Sequence, residues 1–107
     1  MGGKILIVDD VATNRIVLKV KLTSAYYDTI QASTAAEALR LAASEHPDLI
    51  LLDITLPDMS GFELCRELKA QPSTADIPVV MIATHDDQAA RLEGLRAGAA
   101  DIYTKPI

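Results

Sequence analysis

Five short apolar runs separated by stretches of helical periodicity confine this chain to one kind of architecture. The runs are Lys4 to Val8, Tyr27 to Gln31, Asp48 to Leu52, Pro78 to Ile82 and Asp101 to Thr104. The first, third and fourth are continuously apolar, the pattern of strands covered by helices on both faces. The second and fifth are shorter of apolar residues, which places them at sheet edges. Between the runs, helical spacing covers Thr13 to Ala25, Thr34 to Glu45, Gly61 to Ala70 and Gln88 to Ala97. The second helix is the clearest: Ala35, Ala38, Leu39 and Ala42 share a face, Thr34 is placed as its N-cap and Glu37 completes a capping box. Pro47 ends that helix, because a residue before proline avoids the α region, and Gly98 ends the fourth. Strand–helix alternation with short connections predicts an α/β fold with a parallel sheet and right-handed crossovers.

The 107 residues suit one domain, 1–107. A fifth helix is expected after the fifth strand, and the chain reaches Ile107 without one. We therefore expect a truncated domain, with apolar surface left open near Ile102 and on the outer strands. The net charge of −5 provides no basic surface for direct nucleic-acid binding. The longest apolar stretch, Leu49 to Leu52, is too short to cross a bilayer. No signal peptide is visible, so a soluble, cytoplasmic protein is expected with no membrane partner. Cys65 has no cysteine to pair with and sits at helical spacing among apolar residues, which reads as a core position. Arg66, Lys69 and Arg91 read as solvated helix faces, His85 as a surface histidine and His46 as a helix terminus.

Ligands of an open parallel sheet bind beyond the carboxyl ends of its strands. Here those ends carry Asp9 and Asp10, Asp53, Ala83-Thr84 and Lys105. A lone aspartate after a strand is ordinarily an N-cap or a turn former. Three carboxylates gathered on one rim repel one another unless a cation lies among them. An all-oxygen donor set of this kind suits Mg²⁺.

The same residues carry a resemblance. Ile5-Leu-Ile-Val-Asp-Asp10, Leu51-Leu-Asp-Ile-Thr-Leu-Pro57 with Gly61, Gly98-Ala-Ala-Asp101 and Thr104-Lys-Pro106 resemble the two-component response-regulator receiver family. The resemblance implies a flavodoxin-like (CheY-like) five-stranded sheet of order 2-1-3-4-5 with helices on both faces. It implies Asp53 as phosphoacceptor, and Mg²⁺ held by Asp10, Asp53 and the main-chain carbonyl of Thr55, with Asp9 acting through water. Lys105 would pair with the phosphoryl oxygens, aimed by a cis bond to Pro106. The donor would be a phosphohistidine on a histidine kinase or phosphotransfer protein. Pro57 and Gly61 serve loop geometry. More narrowly, Val8 to Arg15 and Lys21 to Tyr27 resemble the first receiver of PleD-type response regulators. That implies a homodimer and a downstream diguanylate cyclase domain making cyclic di-GMP.

Two positions depart from the pattern. The family places Thr or Ser and then Ala at the end of the fourth strand; here Ala83 precedes Thr84, and alternation of side chains keeps Thr84 from simply replacing the hydroxyl. The family places an aromatic residue three before the lysine, where this chain has Ile102 followed by Tyr103. Tyr103 then lies on the opposite face, with packing as its expected role. These changes support an alternative reading, a degenerate receiver used for phosphorylation-independent dimerisation or docking. An aspartate-nucleophile phosphohydrolase needs an acid where Thr55 stands. A nucleotide-binding fold needs a Gly-rich loop where Asp9-Asp10 stands. The expectation is a signalling domain rather than an enzyme.

Overall fold

The computed structural model describes residues 3–83 and 88–104. Its elements are β1 (Lys4–Val8), α1 (Ala12–Ser24), β2 (Asp28–Ala32), α2 (Ala35–Glu45), β3 (Leu49–Asp53), α3 (Gly61–Ala70), β4 (Val79–Ala83), α4 (Gln88–Arg96) and β5 (Asp101–Thr104). The five strands form one parallel sheet in the order β2-β1-β3-β4-β5. Strands β2, β3 and β4 begin one residue later than the apolar runs suggest, and each gains a residue at its carboxyl end.

The strand order decides which face each helix takes. The step from β1 to β2 runs one way across the sheet, and every later step runs the other way. With right-handed crossovers, α1 covers one face while α2, α3 and α4 cover the opposite one. Cross-strand register then sorts the side chains. Ala32, Val8, Leu52, Met81 and Ile102 form one row across all five strands. All five are buried in the main core beneath α2, α3 and α4. On the other face lie Ile5 and Ile7, both buried, then Leu51 and Val80, only half-buried, and Tyr103, which is 53% exposed.

Local chemistry ends the helices. Thr34 caps α2, its Oγ1 accepting from the Glu37 N–H at 3.2 Å, while Glu37 Oε1 accepts from the Ser33 N–H at 2.9 Å. Ser60 caps α3 in the same way, accepting from the Glu63 N–H at 3.2 Å. Gly98, at φ 103°, closes α4 with its N–H on the Leu95 carbonyl and the Ala99 N–H on the Gly94 carbonyl. His46 ends α2 in the left-handed region at φ 44°, ψ 65°. That is one way of obeying the bar on α geometry before Pro47. Its Nε2 lies 3.4 Å from Asp76 Oδ1.

Several expectations need correction. Ile102 is not on an open face: it is 3% exposed, and α4 approaches so closely that a Cβ at Gly94 would strike its Cδ1. Tyr103 does not pack, because the helix on its face, α1, lies over β1 and β2 at the far side of the sheet. Lys69 is not merely solvated; its Nζ donates to the carbonyls of Ala75 (3.2 Å) and Ile77 (2.6 Å). Arg91 likewise donates from Nη1 to the Ile102 carbonyl at 3.2 Å. Cys65, by contrast, is the buried core residue expected, and desolvation pushes its thiol pKa upward.

Candidate functional site

The site begins with where β1 and β3 stop. They are central neighbours, paired from Ile5–Leu49 to Val8–Leu52. Continuing that register sets Asp9 and Asp53 side by side at the carboxyl edge. Two ladder bonds hold the strand ends in place: Asp9 N–H to the Ala32 carbonyl (3.1 Å) and Ile54 N–H to the Ile82 carbonyl (3.2 Å). Asp9 and Asp53 are buried, at 3% and 6% exposure, and Asp10 is exposed. One oxygen from each of Asp9, Asp10 and Asp53 lies within 4.8 Å of the others. Residues far apart in sequence thus converge as the strand-end argument requires.

Each wall of this cluster has its own support. Asp9 Oδ1 accepts from the Val11 N–H at 2.9 Å, which turns the chain into α1. Arg15, on the first turn of α1, donates from Nη1 to the Asp9 carbonyl at 2.7 Å and from Nε to Gln31 Oε1 at 3.2 Å. This arginine fastens the β1–α1 turn by tying the Asp9 main chain to α1 and to Gln31 of β2. On the β3 side the chain folds back on itself. Gly61 N–H donates to the Ile54 carbonyl at 2.6 Å, and Thr55 bridges to Ser60. A Cβ at Gly61 would collide with the Asp53 carbonyl and come within 2.8 Å of Ile54 Cα, so only glycine permits this closure.

The residues expected to form the switch are placed as follows. Ala83 ends β4 and is buried; Ile102 faces the core and Tyr103 the opposite side. Thr84, Lys105, Pro106 and His85 lie outside the described residues, so the expected hydroxyl substitute and the lysine opposite the acids are not placed. Sequence reasoning missed Arg15 and Asp58. Arg15 carried a readable signal, its position in the first turn of the helix that leaves the two aspartates. Asp58, after Pro57 in a loop, carries only the signature of a common turn former.

A three-carboxylate pocket at the carboxyl edge of a 2-1-3-4-5 parallel sheet is the arrangement expected of a receiver-type signalling domain. The comparisons make the class specific. The response regulator receiver domain family matches residues 5–107, and the chain belongs to that family. It is 47% identical over its whole length to the response regulator PleD of Caulobacter vibrioides, of which it spans 24%. Among solved structures, a putative response regulator from Chloroflexus aurantiacus superposes with TM-score 0.95 at 33% identity, covering 100% of this chain and 88% of that one. The receiver domain of the sensor histidine kinase PA1611 from Pseudomonas aeruginosa superposes with TM-score 0.90 at 31% identity, again covering 100% and 88%. That structure has a magnesium ion coordinated in its active-site cleft. Receiver domains are signalling domains that take phosphoryl groups from histidine kinases. No helix among the described residues is long and apolar enough to cross a membrane.

Proposed function

We propose that this domain accepts a phosphoryl group on Asp53 from a phosphohistidine donor. In that step the P–N bond of the donor breaks and a bond forms from an Asp53 carboxylate oxygen to phosphorus; water later cleaves the acyl phosphate, restoring the carboxylate. The observation that carries the reading is the convergence of Asp9, Asp10 and Asp53 within 4.8 Å at the carboxyl edge. A cluster of acids so close is strongly self-repelling without a cation. Its all-oxygen character fits Mg²⁺, which takes one or two carboxylates and keeps several waters. Asp10, Asp53 and the Thr55 carbonyl would hold the ion, with Asp9 acting through water. When bound, Mg²⁺ supplies positive charge that offsets repulsion between the carboxylate and an incoming phosphoryl anion. Lys105 would supply the second cation.

Burial does the rest. Asp53 is 6% exposed, so little of it is open to an approaching donor. Incubation with a small-molecule phosphodonor and Mg²⁺, followed by mass spectrometry, tests the assignment. Wild type is expected to gain one phosphoryl group and Asp53→Asn none. Equal labelling of both proteins removes Asp53 from the role.

The likeness to PleD extends the reading to a larger response regulator in which this domain governs a diguanylate cyclase and dimerises. The absence of a hydroxyl at Ala83 favours a second reading, a receiver used mainly for docking. The two separate by sedimentation of labelled and unlabelled protein. Association that follows Asp53 labelling supports phosphorylation control, and association indifferent to it supports docking.

A further inference from the structure

We propose that Asp58 is a positioning residue for the acceptor loop, fixing the Thr55 carbonyl relative to Asp53 by clamping the loop to the start of α2. The inference rests on the proposed Mg²⁺ site. Asp58 Oδ1 accepts from the Ala35 N–H at 2.8 Å and Oδ2 from the Ala36 N–H at 3.1 Å. Those are the first two N–H groups of α2, which no helical carbonyl can reach. Thr34 takes the third, and from Ala38 onward the helix bonds itself, beginning with the Thr34 carbonyl. The helix therefore already has its own cap. Asp58 is an additional one, contributed by a loop twenty-odd residues further along the chain.

The loop explains why such a clamp matters. Between Ile54 and Gly61, two ties are internal: the Gly61 N–H to the Ile54 carbonyl, and the Thr55–Ser60 bridge. They set the loop's shape without fixing where it stands against the helices. Leu56, buried in the core, and Asp58, bonded to α2, provide that fix on either side of Pro57. Proline's locked φ makes the stretch between these two anchors stiff. A carboxylate on a helix N-terminus gains from charge-assisted bonds and from the helix dipole. The two backbone bonds hold the Asp58 carboxyl below its ordinary pKa, so the clamp stays ionised at neutral pH. Magnesium demands near-ideal octahedral geometry at short distances, so a ligand carbonyl displaced by a fraction of an ångström is felt in affinity.

Calorimetric Mg²⁺ titration and thermal melts of four proteins test the proposal: wild type, Asp58→Ala, Asp58→Asn and Thr34→Ala. Thr34→Ala removes an α2 cap without touching the loop, and its melting temperature is expected to fall with Mg²⁺ affinity within twofold of wild type. Asp58→Ala is expected to weaken Mg²⁺ binding about tenfold, the lower end of the loss seen when groups orienting metal ligands are removed. Asp58→Asn, which keeps one acceptor oxygen, is expected between the two and serves in its place if Asp58→Ala does not fold. Wild-type affinity in both Asp58 variants overturns the proposal. Equal weakening by Thr34→Ala overturns it as well, since the effect would then be general loosening of α2. If wild type binds no Mg²⁺, the metal-site reading fails first and this inference falls with it.

Discussion

The two faces of the sheet are built to different degrees of closure. Beneath α2, α3 and α4 the row from Ala32 to Ile102 is buried across all five strands, and Cys65, Leu64 and Leu68 of α3 are fully enclosed above it. On the α1 side of the sheet, among the described residues, the buried apolar side chains are Ile5, Ile7 and Ile82, and no residue of α1 itself is buried. Leu18 and Leu22 of α1 are half-buried, while Ile16, Val17 and Val20 stand 58%, 47% and 60% exposed. The difference teaches where stability and function divide. The closed face carries the packing, and the site's acids sit at the strand ends where the better-packed strands are held in register. The open face keeps a second apolar stripe on α1 that the described residues do not cover.

Adjacent residues of β3 offer the largest test of this contrast. Leu52 is fully buried on the closed face and Leu51 half-buried on the other, with the same backbone and the same chemistry. Leu52→Ala is expected to cost about 3 kcal/mol, within the range for leucine truncation in a packed core. Leu51→Ala is expected to cost about 1 kcal/mol, because less apolar area leaves contact and no closed cavity remains. Urea unfolding measures both. Equal costs would break the comparison, showing that α1 encloses its face as fully as three helices enclose the other.

A smaller effect of opposite sign is expected where α1 ends. The α1 and α4 termini use one hydrogen-bond pattern: Tyr26 N–H to the Thr23 carbonyl and Tyr27 N–H to the Leu22 carbonyl, matched by Gly98 to Leu95 and Ala99 to Gly94. On the closed side the left-handed position is glycine; on the open side it is Tyr26, at φ 69° and 81% exposed. A left-handed L-residue costs about 1–2 kcal/mol, and part of the relief is offset by glycine's greater freedom when unfolded. Tyr26→Gly is therefore expected to stabilise by about 0.5–1 kcal/mol in the same unfolding measurement. A loss instead would show that the exposed ring makes contacts worth more than the strain.

These contrasts also explain what could be read in the sequence. The strands, the helices and their parallel alternation were legible because apolar periodicity depends on local pattern, as in Leu6, Val8, Ile50 and Leu52, while the strand order followed from the family resemblance. The acid cluster was legible because strand ends converge whatever the details of packing. Asp58 and Arg15 were not recognised, since each acts on backbone groups distant in sequence, and no periodicity marks a side chain that bonds a carbonyl or a remote N–H. Tyr103 was misjudged for a related reason: alternation gives the face a side chain takes, but whether that face is covered depends on the reach of α1.

The smallest expected effect uses acid to loosen one closed-face helix selectively. The Ala35 and Ala36 N–H groups hold the Asp58 carboxyl below its ordinary pKa. A depressed folded pKa means the unfolded chain binds the proton more readily, so stability falls as pH falls. The contribution is whole above the ordinary carboxylate range, near pH 4, and fades as pH drops through the lower folded value. Asp58 is exposed, so the change in global stability is slight and the local readout is the sensitive one. Amide exchange at Ala35 and Ala36 is expected to quicken, relative to the α2 interior, as pH is lowered from 5 to 3 in wild type. In Asp58→Asn it is expected to start faster and show no such added dependence, because no proton can be taken up there. Matching pH profiles in the two proteins would mean that the carboxylate does not hold these amides in solution, and the closed face would lose its tie to the acceptor loop.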